Sequence, residues 1–428
     1  MKLMIYGPGN AREVATFGRL KSECEATDSV WFALQGANAE LISQPSVRRV
    51  QSVHEAAAMG NELEIDLVLV LSPQPLMSGA VSIMQATGLN VFGVNGRAVA
   101  LEESKVLCKQ FMQKHGVPTP TARVFSSPYE AKKFLACNWK PGEREYVVKS
   151  SRFLANAHYR SYVPPTLHEA EQMVDYVLTT LNQAHHTDQV IIEEKVFGPE
   201  ISLHVLFDGK DYWMFPPVFD YKPLFDNDVG PNTHGMGAIA STQTHSLPLE
   251  EIRLRIVEPT LIGLQRSCIE YQYILYIGVM ITPTGVVALE YNIRSGNPEW
   301  LALLPLLGSP LHQVIRSVQE GKLGSQSPQL LPGIAAVAMA VLPGYPFQEL
   351  DHMYQISGLD KLDERVKLYC EGVTQINQIP YATRDRAFAI SATGHDVGTV
   401  REALYENLER VRFNGMFFRT DIGMGRPI

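Results

Sequence analysis

Residues 287–300 read VALEYNIRSGNPEW, and in the middle of this stretch polar side chains alternate with apolar ones. Side chains on a β-strand point to opposite faces with a period of two residues, so the pattern predicts a strand with two unlike faces. One face carries a carboxylate, an amide and a guanidinium, from Glu290, Asn292 and Arg294. The other face carries the apolar side chains of Leu289, Tyr291 and Ile293. Taken alone, such a row is also typical of a solvated edge strand.

The chain has 428 residues, of which 45% are hydrophobic and 19% are charged. This length is too great for one ordinary core and predicts about three folded units. The net charge of -8 argues against general nucleic-acid binding, which normally requires a basic surface. The cysteines are five in number, scattered and without a CxxC pair, which favours reduced thiols over disulfides or a zinc site.

No apolar run reaches the length of about 18 residues that a membrane helix needs. The first residues, MKLMIYGPGN, lead directly into a strand and a glycine turn, without the longer apolar region of a signal peptide. The sequence therefore predicts a cytoplasmic protein that does not associate with membranes.

Short apolar strands alternate with helical patterns over the first hundred residues, at KLMIYG, VWFAL, IDLVLVL and NVFG. This order predicts a parallel sheet covered by helices on both faces. Ligands of such sheets bind beyond the carboxyl ends of the strands. The first turn, YGPGNARE, has only a partial glycine fingerprint in Gly7 and Gly9, so it is either a structural turn or a phosphate site.

The segment LEESKVLCKQFMQKHG predicts one helix that ends at Gly116, and Pro118 and Pro120 then favour an extended linker between domains. A strand at YVVKSS and an amphipathic helix at LHEAEQMVDYVLTTL follow. The long Gly- and Pro-rich segment PPVFDYKPLFDNDVGPNTHGMGAIAST indicates a functional loop. From about Ile334, strands and turns lead to a final helix at TVREALYENLERV.

Further polar residues complement the row at 290–294. Lys149 ends an apolar strand, and about forty residues later Glu193, Glu194, Lys195 and Glu200 surround a turn. A lysine suits phosphate, carboxylates suit a nucleoside, and a Glu-x-Asn-x-Arg row suits metal and phosphate. Because Mg²⁺ prefers oxygen ligands and is shared with substrate phosphates, the set predicts a magnesium–ATP site.

The order and spacing of these parts resemble the ATP-grasp ligases, and most closely the phosphoribosylamine–glycine ligase (glycinamide ribonucleotide synthetase) family. The segments that carry the resemblance are GVNGRAVALEESKVLCKQFMQKHGVPTPTARVF, VIIEEKVFGPEISLHVLFDG, VGPNTHGMGA, LEYNIRSGNPEW, LPGYP and FFRTDIG. The resemblance implies an α/β and α+β multidomain chain with an ATP-grasp fold. Its parts would be an amino-terminal α/β domain with a parallel sheet (1–103), a central ATP-grasp domain (104–121 and 191–330), a lid domain (122–190) and a carboxyl-terminal domain (331–428).

The resemblance also implies roles for individual residues. Contacts with ATP would come from Lys105, Lys149, Glu193, Glu194, Lys195 and Glu200, with Lys105 and Lys149 on the phosphates and Glu200 on the ribose. Glu290 and Asn292 would bind Mg²⁺ or Mn²⁺, and Arg294 would be catalytic beside the transferred phosphate. The acceptor substrates would contact Asp220, Lys222, Asn232, Thr233, His234, Gly235, Met236, Gly296 and Asn297.

Several positions depart from the family pattern. The lid loop KSSRFLANAHYR lacks the family's glycines, which leaves Arg152 or His158 as alternative sources of charge. LSPQPL replaces a Gly-Pro-Glu turn, Asn297 replaces an acid, and His234 replaces a glycine. His234 has the chemistry of a proton acceptor, although a structural role on a Gly-rich loop is the simpler interpretation.

The leading prediction is an ATP-dependent carboxylate–amine ligase that joins glycine to phosphoribosylamine through an acyl phosphate, in purine biosynthesis. One alternative is a divergent amide ligase with another amino acid and amine, as in specialised metabolism. A second alternative is a nucleotide-binding relative without turnover. The predicted partners are small molecules only, and the oligomeric state is left open between a monomer and a homodimer.

Overall fold

The computed structural model describes residues 1–24, 29–152, 161–185, 189–244, 246–347 and 352–427. The first part of the chain forms a five-stranded parallel sheet in the order β3-β2-β1-β4-β5. The elements are β1 Lys2–Gly7, α1 Ala11–Glu23, β2 Ser29–Leu34, α2 Ala39–Ile42, β3 Val47–Arg49, α3 Val53–Glu62, β4 Leu67–Val70, α4 Pro73–Met77, α5 Ala80–Ala86, β5 Val91–Phe92, α6 Gly96–Glu103 and α7 Lys105–Lys114. The sheet predicted from the continuous apolar strands is confirmed.

The prediction of a single helix over residues 101–116 is wrong, because the helix is interrupted at Ser104. Ser104 has an extended backbone (φ -119°, ψ 107°), and its side chain accepts a hydrogen bond from the Leu107 amide. Serine favours this N-cap position because its hydroxyl satisfies an amide that has no partner inside the helix. The break makes Lys105 the first residue of α7.

The segment predicted as the lid, together with the rest of β9, has its own sheet and its own hydrophobic core, and we call this unit the lid. Its antiparallel strands have the order β6-β9-β7-β8. The elements are β6 Ala122–Phe125, α8 Pro128–Asn138, β7 Tyr146–Ser150, β8 Ser161–Tyr162, α9 Leu167–Asp175, a π-helical turn Tyr176–Leu181, α10 Asn182–His185 and β9 Val190–Glu194. Strand β9 spans the predicted boundary between residues 190 and 191. The lid-loop residue His158 lies outside the described residues.

The central and carboxyl-terminal parts share one sheet in the order β17-β16-β10-β12-β15-β18-β23-β20, with β11 paired to β10. The central elements are β10 Glu200–Phe207, β11 Tyr212–Met214, β12 Val218–Asp220, β13 Pro223–Phe225, β14 Val229–Asn232, β15 Gly237–Ser241, α11 Leu249–Ile252, α12 Glu258–Arg266, β16 Tyr273–Thr282, β17 Gly285–Asn292, α13 Glu299–Leu303 and α14 Leu311–Gln319. The remaining elements are β18 Ile334–Val341, β19 Tyr354–Gln355, β20 Val366–Cys370, β21 Val373–Ile376, β22 Ile379–Ala382, β23 Arg386–Gly394 and α15 Val397–Leu408. The sheet crosses the predicted boundary at 331 through the β15–β18 pairing, and the four-domain division stays a prediction.

A β-bulge in β17 corrects the simple alternation predicted for residues 287–300. Ala288 pairs with Val279, whereas Glu290 pairs with the next residue along, Gly278. Leu289 is therefore the extra residue of the bulge. Leu289 and Glu290 are both half-buried, whereas Tyr291 is buried, so Leu289 does not share the surroundings of Tyr291. Because of this extra residue, Glu290 and Asn292 do not point to the same face of the strand as the buried Ala288.

The end of the chain holds the hairpin β13–β14 in place. The fully buried Arg419 forms ion pairs with Asp421 at 2.6 Å and with Asp228 at 3.1 Å, and its guanidinium lies over the ring of Tyr221. Because Asn232 is the last residue of β14 and the loop with Thr233 and His234 follows directly, this cluster supports the predicted substrate loop.

Within the described ranges, no helix is long and apolar enough to cross a bilayer. The cytoplasmic location and the oligomeric state stay predictions.

Tyr273 tests the contact between the amino-terminal and central sheets. Its buried hydroxyl donates to the Val70 carbonyl at 2.6 Å. We expect Tyr273→Phe to lower the free energy of unfolding by about 1 kcal/mol, because a buried hydrogen bond is lost. Urea denaturation measures the change, and Tyr129→Phe is the control because Tyr129 is 70% exposed. Equal midpoints for the two variants would show that the contact does not stabilise the fold.

Candidate active site

A cavity of about 330 Å³ lies between the lid sheet, the start of α7 and the large sheet. Its wall contains most of the predicted site residues: Lys105, Lys149, Glu193, Glu194, Lys195, Glu200, Asp220, Lys222, Asn232, Thr233, His234, Glu290, Asn292, Arg294 and Asn297. The predicted residues Gly235, Met236 and Gly296 are buried behind this wall. A larger cleft of about 620 Å³ lies at the start of β4 and around β5, and its described lining includes none of the predicted residues.

Glu290 and Lys105 form an ion pair in the wall of the cavity, with Lys105 Nζ 3.1 Å from Glu290 Oε2. Lys105, with Lys222 and Lys149 contributing, holds the pKa of the Glu290 carboxyl well below its usual range even though burial opposes the charge. Glu290 is therefore ionised at neutral pH. Lys105 Nζ also donates to Ser161 Oγ at 3.1 Å, which connects this pair to the lid.

Glu193 lies between two lysines. Lys149 Nζ is 2.6 Å from Glu193 Oε1, and Lys109 Nζ is 2.5 Å from Glu193 Oε2. Burial alone would raise the pKa of Glu193, but Lys149 and Lys109 outweigh it and lower that pKa. Lys109 was not predicted from the sequence. The available signal was its position four residues after Lys105, one turn along the same helix face.

At the end of the cavity next to the lid strands, the predicted nucleoside residues are also paired. Lys195 Nζ is 2.7 Å from Glu145 Oε2, and Arg144 Nε is 3.5 Å from Glu194 Oε1. Glu200 accepts a hydrogen bond from Lys222, which was predicted to contact an acceptor substrate. The structure thus brings a predicted ATP residue and a predicted acceptor residue into direct contact.

Arg294 is held by a carboxylate from α6. Its Nε donates to Glu102 Oε1 at 3.1 Å, and its Nη2 donates to Asn292 Oδ1 at 3.0 Å. The other oxygen of Glu102 accepts the Ile293 amide at 2.8 Å, which fixes the chain just after β17. Glu102 was not predicted, because a glutamate within LEESK looks like an ordinary helix-surface residue.

Another part of the cavity contains Asp220, His234, Asn297 and the unpredicted Glu299. We call it the acceptor end, after the role predicted for the first three residues. Burial, reinforced by the nearby Glu299, raises the pKa of Asp220 well above its usual range. The His234 amide donates to the Tyr345 hydroxyl at 3.0 Å. This end therefore combines a carboxyl that resists ionisation with polar loop residues.

The first glycine turn is closed by a side chain of the chain itself. The amides of Gly9 and Asn10 donate to Glu13 Oε2 at 2.7 and 3.1 Å, and the Ser72 hydroxyl donates to Glu13 Oε1 at 2.5 Å. The structural interpretation of this turn is therefore favoured, since a carboxylate already occupies the amides that a phosphate would need.

The side-chain oxygen atoms of Glu290 and Asn292 fit as ligands of a magnesium ion that is shared with a nucleotide. Among the described residues, no group of three or more His, Cys, Asp or Glu side chains could hold a metal alone. Mg²⁺ in nucleotide sites typically takes one or two protein oxygens and completes its shell with phosphates and water. An ionised carboxylate beside an amide oxygen meets that requirement.

A lid sheet, a large antiparallel sheet and a cavity of paired lysines and carboxylates between them define an ATP-grasp protein. Residues 103–300 match the family model described as "Phosphoribosylglycinamide synthetase, ATP-grasp (A) domain". Residues 335–425 match the corresponding C domain. The chain belongs to the phosphoribosylamine–glycine ligase family, whose members are ATP-dependent carbon–nitrogen ligases, and the fold and family predicted from the sequence are confirmed.

Known proteins are similar to this chain over most or nearly all of its length. The phosphoribosylamine–glycine ligase of Caldanaerobacter subterraneus subsp. tengcongensis is 30% identical over 426 residues, covering 99% of this chain and 100% of that protein. The human trifunctional purine biosynthetic protein adenosine-3 is 31% identical over 85% of this chain, which spans 36% of that protein. The crystal structure of the ligase from Thermotoga maritima has a TM-score of 0.80 and 26% identity, and it covers 99% of this chain and 100% of that one. A biotin carboxylase from Campylobacter jejuni shares the fold, with a TM-score of 0.72 at 14% identity, and covers 99% of this chain and 94% of that one.

Asp220 gives a pH-dependent prediction. Because its pKa is raised in the folded state, folding is penalised once the pH exceeds the carboxyl's unfolded pKa, and the full penalty is reached above the folded pKa. We expect Asp220→Asn to raise the thermal midpoint by at least about 2 °C at about pH 8, and by less at about pH 4. The exposed Asp360 provides the control Asp360→Asn. A gain that does not grow with pH would contradict the raised pKa.

Proposed function

We propose that this chain is an ATP-dependent ligase that joins glycine to phosphoribosylamine and forms glycinamide ribonucleotide. One observation carries the proposal: Glu290 and Asn292 line the same cavity as Lys105, Lys149 and Arg294, in a chain of this ligase family. The names of the relatives support the choice of substrates.

The chemistry requires activation of a carboxylate. A carboxylate oxygen takes the γ-phosphoryl group of ATP, which gives an acyl phosphate and ADP. The amine then attacks the acyl carbon, the bond from that carbon to the phosphate oxygen breaks, and inorganic phosphate and one proton of the amine are released. Phosphoryl transfer asks a protein mainly for positioning and for neutralisation of charge.

Lys105 and Lys149 are the proposed phosphate contacts. Each ammonium group has three donors, so its ion pair with Glu290 or Glu193 leaves donors that can reach phosphate oxygens. Arg294 would stabilise the transferred group, because Glu102 and Asn292 hold its guanidinium at the edge of the cavity.

Glu290 and Asn292 are the proposed metal ligands. Mg²⁺ or Mn²⁺ bound there would neutralise phosphate charge in the transition state. Ionised Glu290 supplies the charge, and the neutral amide of Asn292 adds an oxygen.

The remaining walls receive the other parts of the substrates. Glu193, Glu194 and Lys195 would contact the nucleoside from the lid side, and Glu200 would contact the ribose. Asp220, Lys222, Asn232, Thr233, His234 and Asn297 would contact the acceptors, with Gly235, Met236 and Gly296 supporting them from behind. A lid over this cavity would exclude water, which is needed because acyl phosphates hydrolyse.

The metal assignment predicts the effect of Glu290→Gln. We expect this change to weaken Mg²⁺-dependent ATP affinity by about 100-fold, because the amide removes the charge that attracts the metal. Calorimetric titration of ATP with and without Mg²⁺ measures the effect, and Glu64→Gln is the control because the Glu64 side chain is 85% exposed. Unchanged Mg²⁺-dependent affinity would remove Glu290 from the metal site.

The substrate assignment predicts that ADP release needs both acceptors together. A coupled ADP assay with glycine and phosphoribosylamine should show turnover that falls at least about 100-fold when either acceptor is omitted. His234 and Asn297 line the acceptor end and depart from the family pattern, so this assay tests which acceptors the protein uses. Turnover with another amino acid and amine, and none with this pair, would favour the divergent ligase instead.

A further inference from the structure

Two loops form the acceptor end of the cavity, and one side chain from the carboxyl-terminal part holds both. Arg386, the first residue of β23, donates through Nη1 to the His234 carbonyl at 2.8 Å and to the Asn297 carbonyl at 2.9 Å. His234 precedes β15 and Asn297 follows β17, so the guanidinium connects segments that are far apart in the central sheet.

Glu371 completes this arrangement. Its Oε1 accepts from Arg386 Nη2 at 2.9 Å, and its Oε2 accepts from the side-chain amide of Asn297 at 3.1 Å. The Glu371 amide donates to the Ala387 carbonyl at 2.9 Å, so the two residues are held on adjacent strand ends. The Glu371 and Arg386 side chains are 18% and 10% exposed, and an ion pair this buried is costly to break.

The contact with Glu371 fixes the orientation of the Asn297 amide. Because Nδ2 donates to the carboxylate, Oδ1 is left as the free acceptor, and it is buried without a hydrogen-bond partner among the described residues. Asp220 Oδ1 is in the same situation, and both residues line the cavity. Buried oxygens without donors are unfavourable, so this wall favours a ligand that brings N–H groups.

We propose that Glu371 and Arg386 are positioning residues that orient Asn297, and that Asn297 and Asp220 receive the N–H groups of a substrate's primary amino group. This inference rests on the proposed function, in which glycine and phosphoribosylamine each carry one such group. Asn297 was predicted as a substrate contact, whereas Glu371 and Arg386 were not predicted at all.

The test is Glu371→Gln, assayed by ADP release with one acceptor varied while the other substrates are saturating. We expect the KM of one acceptor to rise at least about tenfold, while the KM of ATP changes less than about twofold. A rise in the glycine KM assigns the site to the amino group of glycine, and a rise in the phosphoribosylamine KM assigns it to that amine.

The matched control is Glu406→Gln. Glu406 also pairs with an arginine of the carboxyl-terminal part, Arg365 at 2.6 Å, but it does not line the cavity. We expect every KM to stay at the wild-type value. Thermal unfolding of both variants establishes that they are folded.

Exchanging the amide at position 297 and the carboxylate at position 371, a polarity swap, distinguishes two roles of Glu371: orienting the Asn297 side chain and merely supporting the local structure. In the double variant Asn297→Asp with Glu371→Gln, the introduced glutamine amide can donate to the introduced carboxylate, whose second oxygen remains free for the substrate. This double variant also keeps a carboxylate close to Arg386, which makes it informative even where Glu371→Gln unfolds. We expect it to recover the acceptor KM to within about threefold of wild type, whereas Asn297→Asp alone raises that KM because two carboxylates then face each other.

The outcomes are distinct. An active wild type whose acceptor KM values are unmoved by Glu371→Gln, or a raised KM that the swap does not recover, overturns the positioning role and leaves the proposed function intact. A wild type without ADP release from glycine and phosphoribosylamine overturns the proposed function, and the positioning role falls with it.

Discussion

The ion pair between Lys105 and Glu290 is the contact on which the site depends. Ser104 breaks the preceding helix, so that Lys105 begins α7, and Glu290 directly follows the bulge residue Leu289 in β17. The other cavity residues follow the same pattern. Each lysine or arginine predicted to contact a ligand is paired with a carboxylate from a different segment. Such pairing keeps several charges in a partly buried space without net repulsion, and it fixes the positions that phosphate groups require.

This constraint explains how the parts of the fold cooperate. The lid contributes Lys149 and Glu193 from adjacent antiparallel strands, and the large sheet contributes Glu290 and Asn292. Because the sheet continues through β18 into the carboxyl-terminal part, residues after 330 also reach the acceptor end. Segments from all parts of the fold therefore build the cavity, and the segments that support the acceptor end differ from those that hold Lys105 and Glu290.

Much of this was accessible from the sequence. Apolar strand runs identified the parallel sheet, and the spacing of Lys149, Glu290, Asn292 and Arg294 identified residues that do share a cavity. The bulge could not be predicted, because an extra residue in one strand leaves no periodic signal. Glu102, Glu371 and Arg386 were missed for a related reason: their partners are distant in sequence, and only the folded sheet brings a buried carboxylate or guanidinium to them.

The central claim is that this cavity activates a carboxylate by transferring phosphate to it. Glycine labelled with ¹⁸O in its carboxylate tests that claim directly, with the released phosphate examined by ³¹P NMR. If an acyl phosphate forms, one labelled oxygen leaves with each phosphate when the amine attacks the acyl carbon. Phosphate that carries no label, during turnover that consumes glycine, would contradict the account.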